Sequence, residues 1–447
     1  MDKTSNGRPV AVPARRLARL GQLGAMTAGV AGSMALNGLG QLGRGQRPTM
    51  RDLLLTPANL TRVADQLAKM RGAAMKVGQL VSMDGGDLLP PELAQIMARL
   101  RDDAHFMPPA QLRKVLDAQW PTGWLGHFKT FDVRPIAAAS IGQVHRAVLT
   151  DGTTLAIKVQ YPGVARSIDS DVANVGALIA MTGLLPKGFD LAPYLAQARA
   201  QLHEETDYTR EAAQLARAAA LLADDPRFAL PQVHAALSTP QILAMTFLPG
   251  QPIETLADAD QPTRNRVARD LIALTLQEAF AWGFMQTDPN FANFRHQPDT
   301  GRIALLDYGA ARDLDPRITG LYRDLLAAGL RDDADALARI ATGIGFIAAD
   351  TAPRHRDAIV AMMRQVFAAL RAPGPYDFAD TRLSRQLQRD GMALADDGFL
   401  PPPPPIDVLL LQRKLGGIFL LASRLGAQVD LMPLLAPYID GTPAARR

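Results

Sequence analysis

Cysteine is absent from the 447 residues. That absence excludes disulfides, thiolate metal sites and cysteine nucleophiles, and it suits a reducing compartment. Surplus charge is also scarce: the formal net charge is +4. This is too little to argue for nucleic acid, and no basic–aromatic interleaving of the kind that stacks bases is present. Long apolar runs are missing too. No charge occurs between Arg19 and Arg44, yet Gln22, Thr27, Asn37 and Gln41 make the stretch too polar for a firm membrane span. No compact apolar segment precedes a cleavage site, so a signal peptide is not expected. What is present is globular: 48% hydrophobic and 21% charged residues, in a chain long enough for two lobes plus extensions.

Residues 1–48 form a basic, Gly/Ala-rich arm, with seven Lys and Arg residues against Asp2 alone. Small residues recur every fourth position (Gly21, Ala25, Gly29, Ser33), the spacing that lets helices approach closely, especially in membranes. Three readings of the arm stay open: a flexible tether, a membrane-touching helix and an organelle transit peptide. Residues 49–130 read as an all-helical extension. Within it, Leu60, Val63, Leu67, Met70, Ala74, Val77 and Val81 predict an amphipathic helix over 59–83.

From 131 the texture changes, and residues 131–250 read as a small lobe. Strands are expected over 131–133, 143–149 and 154–160, with Asp151-Gly152 as a hairpin turn. Helical stretches follow near 167–184 and 190–222. Residues 251–447 read as a helical large lobe, opening on an apolar helix over 262–284. Gln412, Arg413 and Lys414 make the late apolar run at 408–421 a packed helix and not a span.

The chemistry lies in four segments whose order matters more than any one of them. Ala137-Ala138-Ala139-Ser140-Ile141-Gly142-Gln143-Val144 falls in register with the kinase glycine loop, keeping Gly142 and Val144 and replacing two glycines by alanine. Leu155-Ala156-Ile157-Lys158 matches the strand whose lysine reaches nucleotide phosphates, provided a glutamate aims it; candidates lie within 203–211. Asp288 and Asn293 keep the five-residue spacing of the catalytic loop, where the acid meets the acceptor hydroxyl and the amide holds magnesium. Asp307-Tyr308-Gly309 follows the apolar run 303–306, placing a metal-binding acid after a buried strand. Met245 and Leu248, after the last small-lobe strand, are the expected adenine hinge. Each alanine adds a Cβ where glycine would let backbone N–H groups close over phosphates. Gln286 stands where such loops carry histidine, and no A-P-E peptide-docking motif follows Asp307.

Together these residues resemble the UbiB family of atypical protein-kinase-like proteins. The marks are the alanine-rich loop, Lys76-Val77-Gly78-Gln79 as a K-x-G-Q motif, and Glu205-Thr206-Asp207 as an E-x-D segment. The resemblance spans about residues 50–330. It implies an α+β, bilobal protein-kinase-like fold with a helical N-terminal extension and a mostly helical large lobe. It also implies ATP (or ADP) and Mg²⁺ as cofactors, and atypical kinase or ATPase activity supporting ubiquinone biosynthesis at a membrane. By the same resemblance, Lys158 contacts the phosphates and pairs with Glu211. Asp288 is the catalytic-loop acid, and Asn293 and Asp307 are metal ligands. Lys76 and Gln79 lie over the peptide-binding cleft as regulatory residues, with Lys76 facing Glu205 and Asp207. The usual loop of the family runs H-x-D-P-H-P-G-N; here Gln286, Asn290, Phe291 and Ala292 depart from it.

Five acids (Glu205, Asp207, Glu211, Asp288 and Asp307) are then expected to converge with only Lys76 and Lys158 to offset them, so a triphosphate needs one or two Mg²⁺. The expected partners are nucleotide, lipid or quinone precursors and quinone-biosynthesis proteins, with a homodimer left open and nucleic acid excluded. The expected location is cytoplasmic, peripheral or N-terminally anchored at the inner face of a membrane, and mitochondrial in a eukaryote. Two alternatives stand beside the enzyme: a nucleotide-binding pseudokinase scaffold and a small-molecule phosphotransferase.

Overall fold

The computed structural model describes residue 70, residues 72–74, 76–78, 106–139, 141–182, 190–402 and 404–439. The 1–48 arm, most of the 59–83 helix, Gln79 and Ser140 lie outside the described residues. In chain order the elements begin with α1 (Pro109–Gln119), β1 (Phe128–Phe131), β2 (Ala137–Ala138), β3 (Gly142–Leu149) and β4 (Thr154–Gln160). Next come α2 (Val164–Thr182), α3 (Ala192–Glu205), α4 (Tyr208–Leu221), β5 (Phe228–Ala229), β6 (Ile242–Thr246) and β7 (Gln251–Pro252). Then follow α5 (Gln261–Gln277), a π-helical turn (Glu278–Trp282), β8 (Phe284–Gln286), β9 (Phe294–His296), β10 (Ile303–Leu305) and β11 (Ala311–Asp313). The rest is α6 (Pro316–Leu330), α7 (Ala334–Ile344), α8 (Pro353–Arg371), β12 (Tyr376–Asp377), α9 (Arg382–Asp396), α10 (Ile406–Arg424), β13 (Gln428–Val429) and α11 (Met432–Ile439).

The chain divides into two units. One comprises Met1–Arg217 and Pro231–Phe247, the other Ala218–Leu230 and Leu248–Arg447. The first is built on an antiparallel sheet of order β1-β3-β4-β6, with β2 also on β3. Its long hairpin turns at Asp151-Gly152, where Gly152 takes φ 90° and the Thr153 N–H donates to the Asp151 carboxylate at 2.8 Å. Glycine adopts that conformation without steric cost. Along β4 the side chains alternate between faces. Leu155, Ile157 and Val159 pack with Trp120, Trp124, Phe128 and Ile242 in one core, which leaves Ala156, Lys158 and Gln160 for the opposite face. The expected strand at 131–133 starts and ends earlier. Past Phe131 the Asp132 N–H still donates to the Arg146 carbonyl on β3 at 2.9 Å, while the Asp132 carbonyl accepts from the His145 side chain of that strand at 2.8 Å. The helix expected over 190–222 is two helices. Asp207 accepts the N–H groups of Thr209 and Arg210 (3.0 and 3.3 Å) and so starts α4 anew.

In the second unit, α5–α8 and α10 enclose a core that includes Phe280, Met285, Ile318, Tyr322, Leu337, Val408 and Leu411. Asp260, Asp315 and Asp333 cap α5, α6 and α7 by accepting backbone N–H groups. The apolar helix expected over 262–284 stops short. After Gln277 it widens into the π-turn, Gly283 takes φ 60°, and Phe284 opens β8. Strands β5-β10-β9-β7 form one small sheet and β11-β8 another. Among the described residues no helix is long and apolar enough to cross a membrane.

Candidate active site

The first unit presents a buried lysine. Lys158 stands opposite Val144 on β3 and Leu243 on β6. Its Nζ donates to both carboxylate oxygens of Glu211, at 2.7 and 2.8 Å, and lies 5.2 Å from the centre of the Tyr208 ring. Glu211 sits in the first turn of α4, where the aligned peptide dipoles favour negative charge. Two positions along β4, Gln160 donates to the carbonyls of Thr206 and Pro240 (2.7 and 3.1 Å), pinning the α3–α4 break to the sheet. Lys76 is buried and ion-paired with Glu205. Asp207 is not placed as the resemblance implied. It is exposed and serves as the cap of α4, and its hydrogen bond from the Thr209 hydroxyl, more than any other interaction, holds its carboxyl below the usual range.

Ala137 and Ala138 are exposed on β2, paired with Val144 and Gln143, and the Ala139 N–H donates to the Gly142 carbonyl at 2.9 Å. Gly142 answers to packing. A Cβ there would fall 2.4 Å from the Val159 carbonyl oxygen and 2.9 Å from the Tyr208 hydroxyl. Beneath the loop, the Gln143 side chain accepts the Met107 N–H at 2.9 Å and lies 2.8 Å from His145 Nε2. Because His145 Nδ1 faces a carbonyl, which only accepts, Nδ1 carries the proton and Nε2 receives the Gln143 amide. Burial pushes this imidazole down to about 4. Met245 is buried in β6 opposite Ala156. Leu248, half-buried, is where the chain enters the second unit.

The second unit gathers the lower motifs. Strands β9 and β10 pair with Phe294 opposite Leu305, and the Leu306 N–H donates to the Asn293 carbonyl at 2.9 Å. Asn293 and Asp307 therefore share one end of that ladder. The Asn293 amide reaches Asp288 Oδ2 at 3.4 Å, and Asp307 Oδ1 accepts the Gly309 N–H at 2.8 Å. Gln286, where histidine is usual, ties the two loops together. Its amide N–H donates to the Asp307 carbonyl (3.1 Å) and its oxygen accepts the Asp288 N–H (2.6 Å). Tyr308 is buried, and burial, then the nearby Glu278 carboxylate, pushes its phenol well above the usual range.

Two further residues of this site lie far along the chain. Arg413 on α10 donates from Nη2 to Asp288 Oδ1 at 2.8 Å. Lys414 pairs with Glu278 at 3.2 Å, both side chains 2% exposed. The sequence signal for them was two adjacent cations inside an apolar run, which cannot be buried without acids to meet. The expected charge balance, with only Lys76 and Lys158 to offset the acids, is accordingly corrected. Glu205, Glu211 and Asp288 each have their own cation, Asp207 caps a helix, and among the described residues no three His, Cys, Asp or Glu side chains form a metal-holding group. The donor set still suits Mg²⁺. One carboxylate and one amide oxygen are hard ligands, and Mg²⁺ takes few protein ligands when phosphates and water supply the rest.

A lysine–glutamate pair on a β-sheet unit, followed by a helical unit carrying linked D-x4-N and D-Y-G loops, defines a protein-kinase-like protein. The ABC1 atypical kinase-like domain matches residues 99–341, more than half of the chain, which belongs to that family. The chain is similar to the mitochondrial atypical kinase COQ8 of Saccharomyces cerevisiae, 37% identical over 425 residues, covering 95% of this chain and 84% of that one. It is also similar to the mitochondrial atypical kinase COQ8B of Rattus norvegicus, 36% identical over 434 residues, covering 94% and 79%. Among solved structures it resembles Rv3197 of Mycobacterium tuberculosis, determined as a complex with erythromycin, at 25% identity and a TM-score of 0.60 over 84% of this chain and 94% of that one. The UbiB-type resemblance and the kinase-like fold both hold.

Proposed function

We propose that this protein is an Mg-ATP-dependent atypical kinase or ATPase that supports ubiquinone biosynthesis at a membrane. The observation that carries the reading is the Lys158–Glu211 pair. A lysine whose ammonium is fixed through both oxygens of a buried carboxylate is a point charge aimed in advance, as phosphate binding requires. In this reading Lys158 contacts the nucleotide phosphates, Ala137, Ala138, Ala139, Ser140, Gly142 and Val144 form the loop beside them, and Met245 and Leu248 contact adenine. Asn293 and Asp307 hold Mg²⁺, which when bound neutralises phosphate charge and polarises the transferred group. Asp288 accepts the proton of the attacking hydroxyl or water. Lys76, Gln79 and Glu205 regulate access. The pathway and a mitochondrial setting are supported by the COQ8 names of the relatives.

The test is Mg-dependent nucleotide binding, by thermal shift, together with ATP hydrolysis measured with and without vesicles. Asp307→Asn should lose the Mg-dependent stabilisation. Asp288→Asn should keep it and lose turnover. Equal nucleotide affinity in wild type and Asp307→Asn overturns the metal assignment. A second reading, the nucleotide-binding scaffold, is favoured by one contact: Arg413 already occupies Asp288 Oδ1. Vesicle-stimulated hydrolysis that disappears in Asp288→Asn decides against it.

A further inference from the structure

We infer that Arg413 is a positioning residue for the transfer reaction, setting the direction in which the Asp288 carboxylate points. This rests on reading Asp288 as the catalytic-loop acid. Three elements hold that aspartate from three sides. Arg413 takes Oδ1 at 2.8 Å, the Asn293 amide approaches Oδ2 at 3.4 Å, and Gln286 accepts the backbone N–H at 2.6 Å. Only Arg413 comes from outside the loop region, from a helix well past residue 341, where the matched domain ends.

That helix is seated on the loop by neighbouring contacts. Lys414 meets Glu278 and lies 5.7 Å from the centre of the Phe294 ring. One turn on, Gly417 has no side chain where a Cβ would fall 2.3 Å from Pro289 Cβ, so α10 packs directly against the residue after Asp288. Arg413 itself is 4% exposed at its side chain and uses one prong only, since its buried Nε meets no acceptor among the described residues. A buried ion pair contributes little net stability over an apolar replacement, but it fixes geometry. Here the geometry fixed is that of the reacting acid, with Oδ1 tethered and Oδ2 turned to the Asn293 side.

A double-mutant cycle on the full chain tests this, reading kcat and KM for Mg-ATP hydrolysis and nucleotide affinity. Arg413→Met should lower kcat by about 10²-fold, the cost of a misplaced reacting group, with KM and nucleotide affinity held within about twofold. Because Arg413 acts through Asp288, the same substitution placed on Asp288→Asn should change the residual rate by less than about twofold. Arg413→Lys, which keeps a single charged donor, should recover part of kcat, and it carries the cycle if Arg413→Met does not fold. Equal fold-losses in the two backgrounds, or a loss that appears in nucleotide affinity with kcat intact, overturns the inference alone. An Asp288→Asn rate equal to wild type overturns both it and the reading beneath it.

Discussion

Lys158 and Glu211, 53 residues apart, meet through both carboxylate oxygens, and neither side chain is more than a tenth exposed. Removing one partner leaves the other charged and out of water, which costs about 3–5 kcal/mol in comparable buried pairs. Glu211→Gln and Lys158→Met should therefore each lower the urea midpoint as well as abolish turnover. Chemical denaturation beside an ATPase assay checks both. Loss of activity at unchanged stability would show that the pair is not buried as described.

His145 gives the first unit a dependence on pH. Its folded imidazole resists protonation down to about 4, against 6.5 ordinarily. As pH falls through that window the unfolded chain takes up a proton that the folded one refuses, so stability is lost toward acid. The full difference is about 3 kcal/mol. Urea melts at about pH 7.5 and about pH 5 should show wild type losing more stability than His145→Gln, which has no proton to take up.

Lys414 and Glu278 behave differently because burial pushes the Glu278 carboxyl up in spite of its cation. A raised folded value means that stability is lost as pH rises above the ordinary carboxylate range. Lys414→Met takes away the opposing charge, so its destabilisation should grow between about pH 5 and about pH 8. Adding Glu278→Met should recover much of the loss, since a well-packed apolar pair often replaces a buried ion pair without penalty. Paired melts of the single and double variants measure this.

Two glycines should resist alanine for packing reasons. At Gly142 the new Cβ meets the Val159 carbonyl at 2.4 Å; at Gly417 it meets Pro289 at 2.3 Å. Each alanine should cost about 1–3 kcal/mol, as overpacking generally does. Gly417→Ala should in addition slow hydrolysis by displacing the segment after Asp288, a difference visible in kcat at temperatures where both variants are folded.

The parts of the fold legible in the sequence were those with local causes. The β3–β4 hairpin, Lys158 at its place in β4, and the D-x4-N and D-Y-G loops all follow from alternation, turn chemistry and short spacings. Element ends were less legible because they depend on side chains found only in the fold. The Asp207 carboxylate splits α3 from α4, and the π-turn at Glu278 shortens α5. Gln286 read as a lost histidine, yet its amide bonds both loops at once. Arg413 was hidden by the 125 residues that separate it from Asp288; nothing local in 408–421 names its partner.

The placement of α10 has a practical consequence for dissection of the chain. A fragment ending at residue 341 would contain the whole stretch by which the family is identified, yet it would strip Val408 and Leu411 from the core and leave Glu278 without Lys414 and Asp288 without its tether. The boundary drawn by shared motifs and the boundary of the contacts that hold Asp288 and Glu278 are thus different lines, and the second reaches into α10.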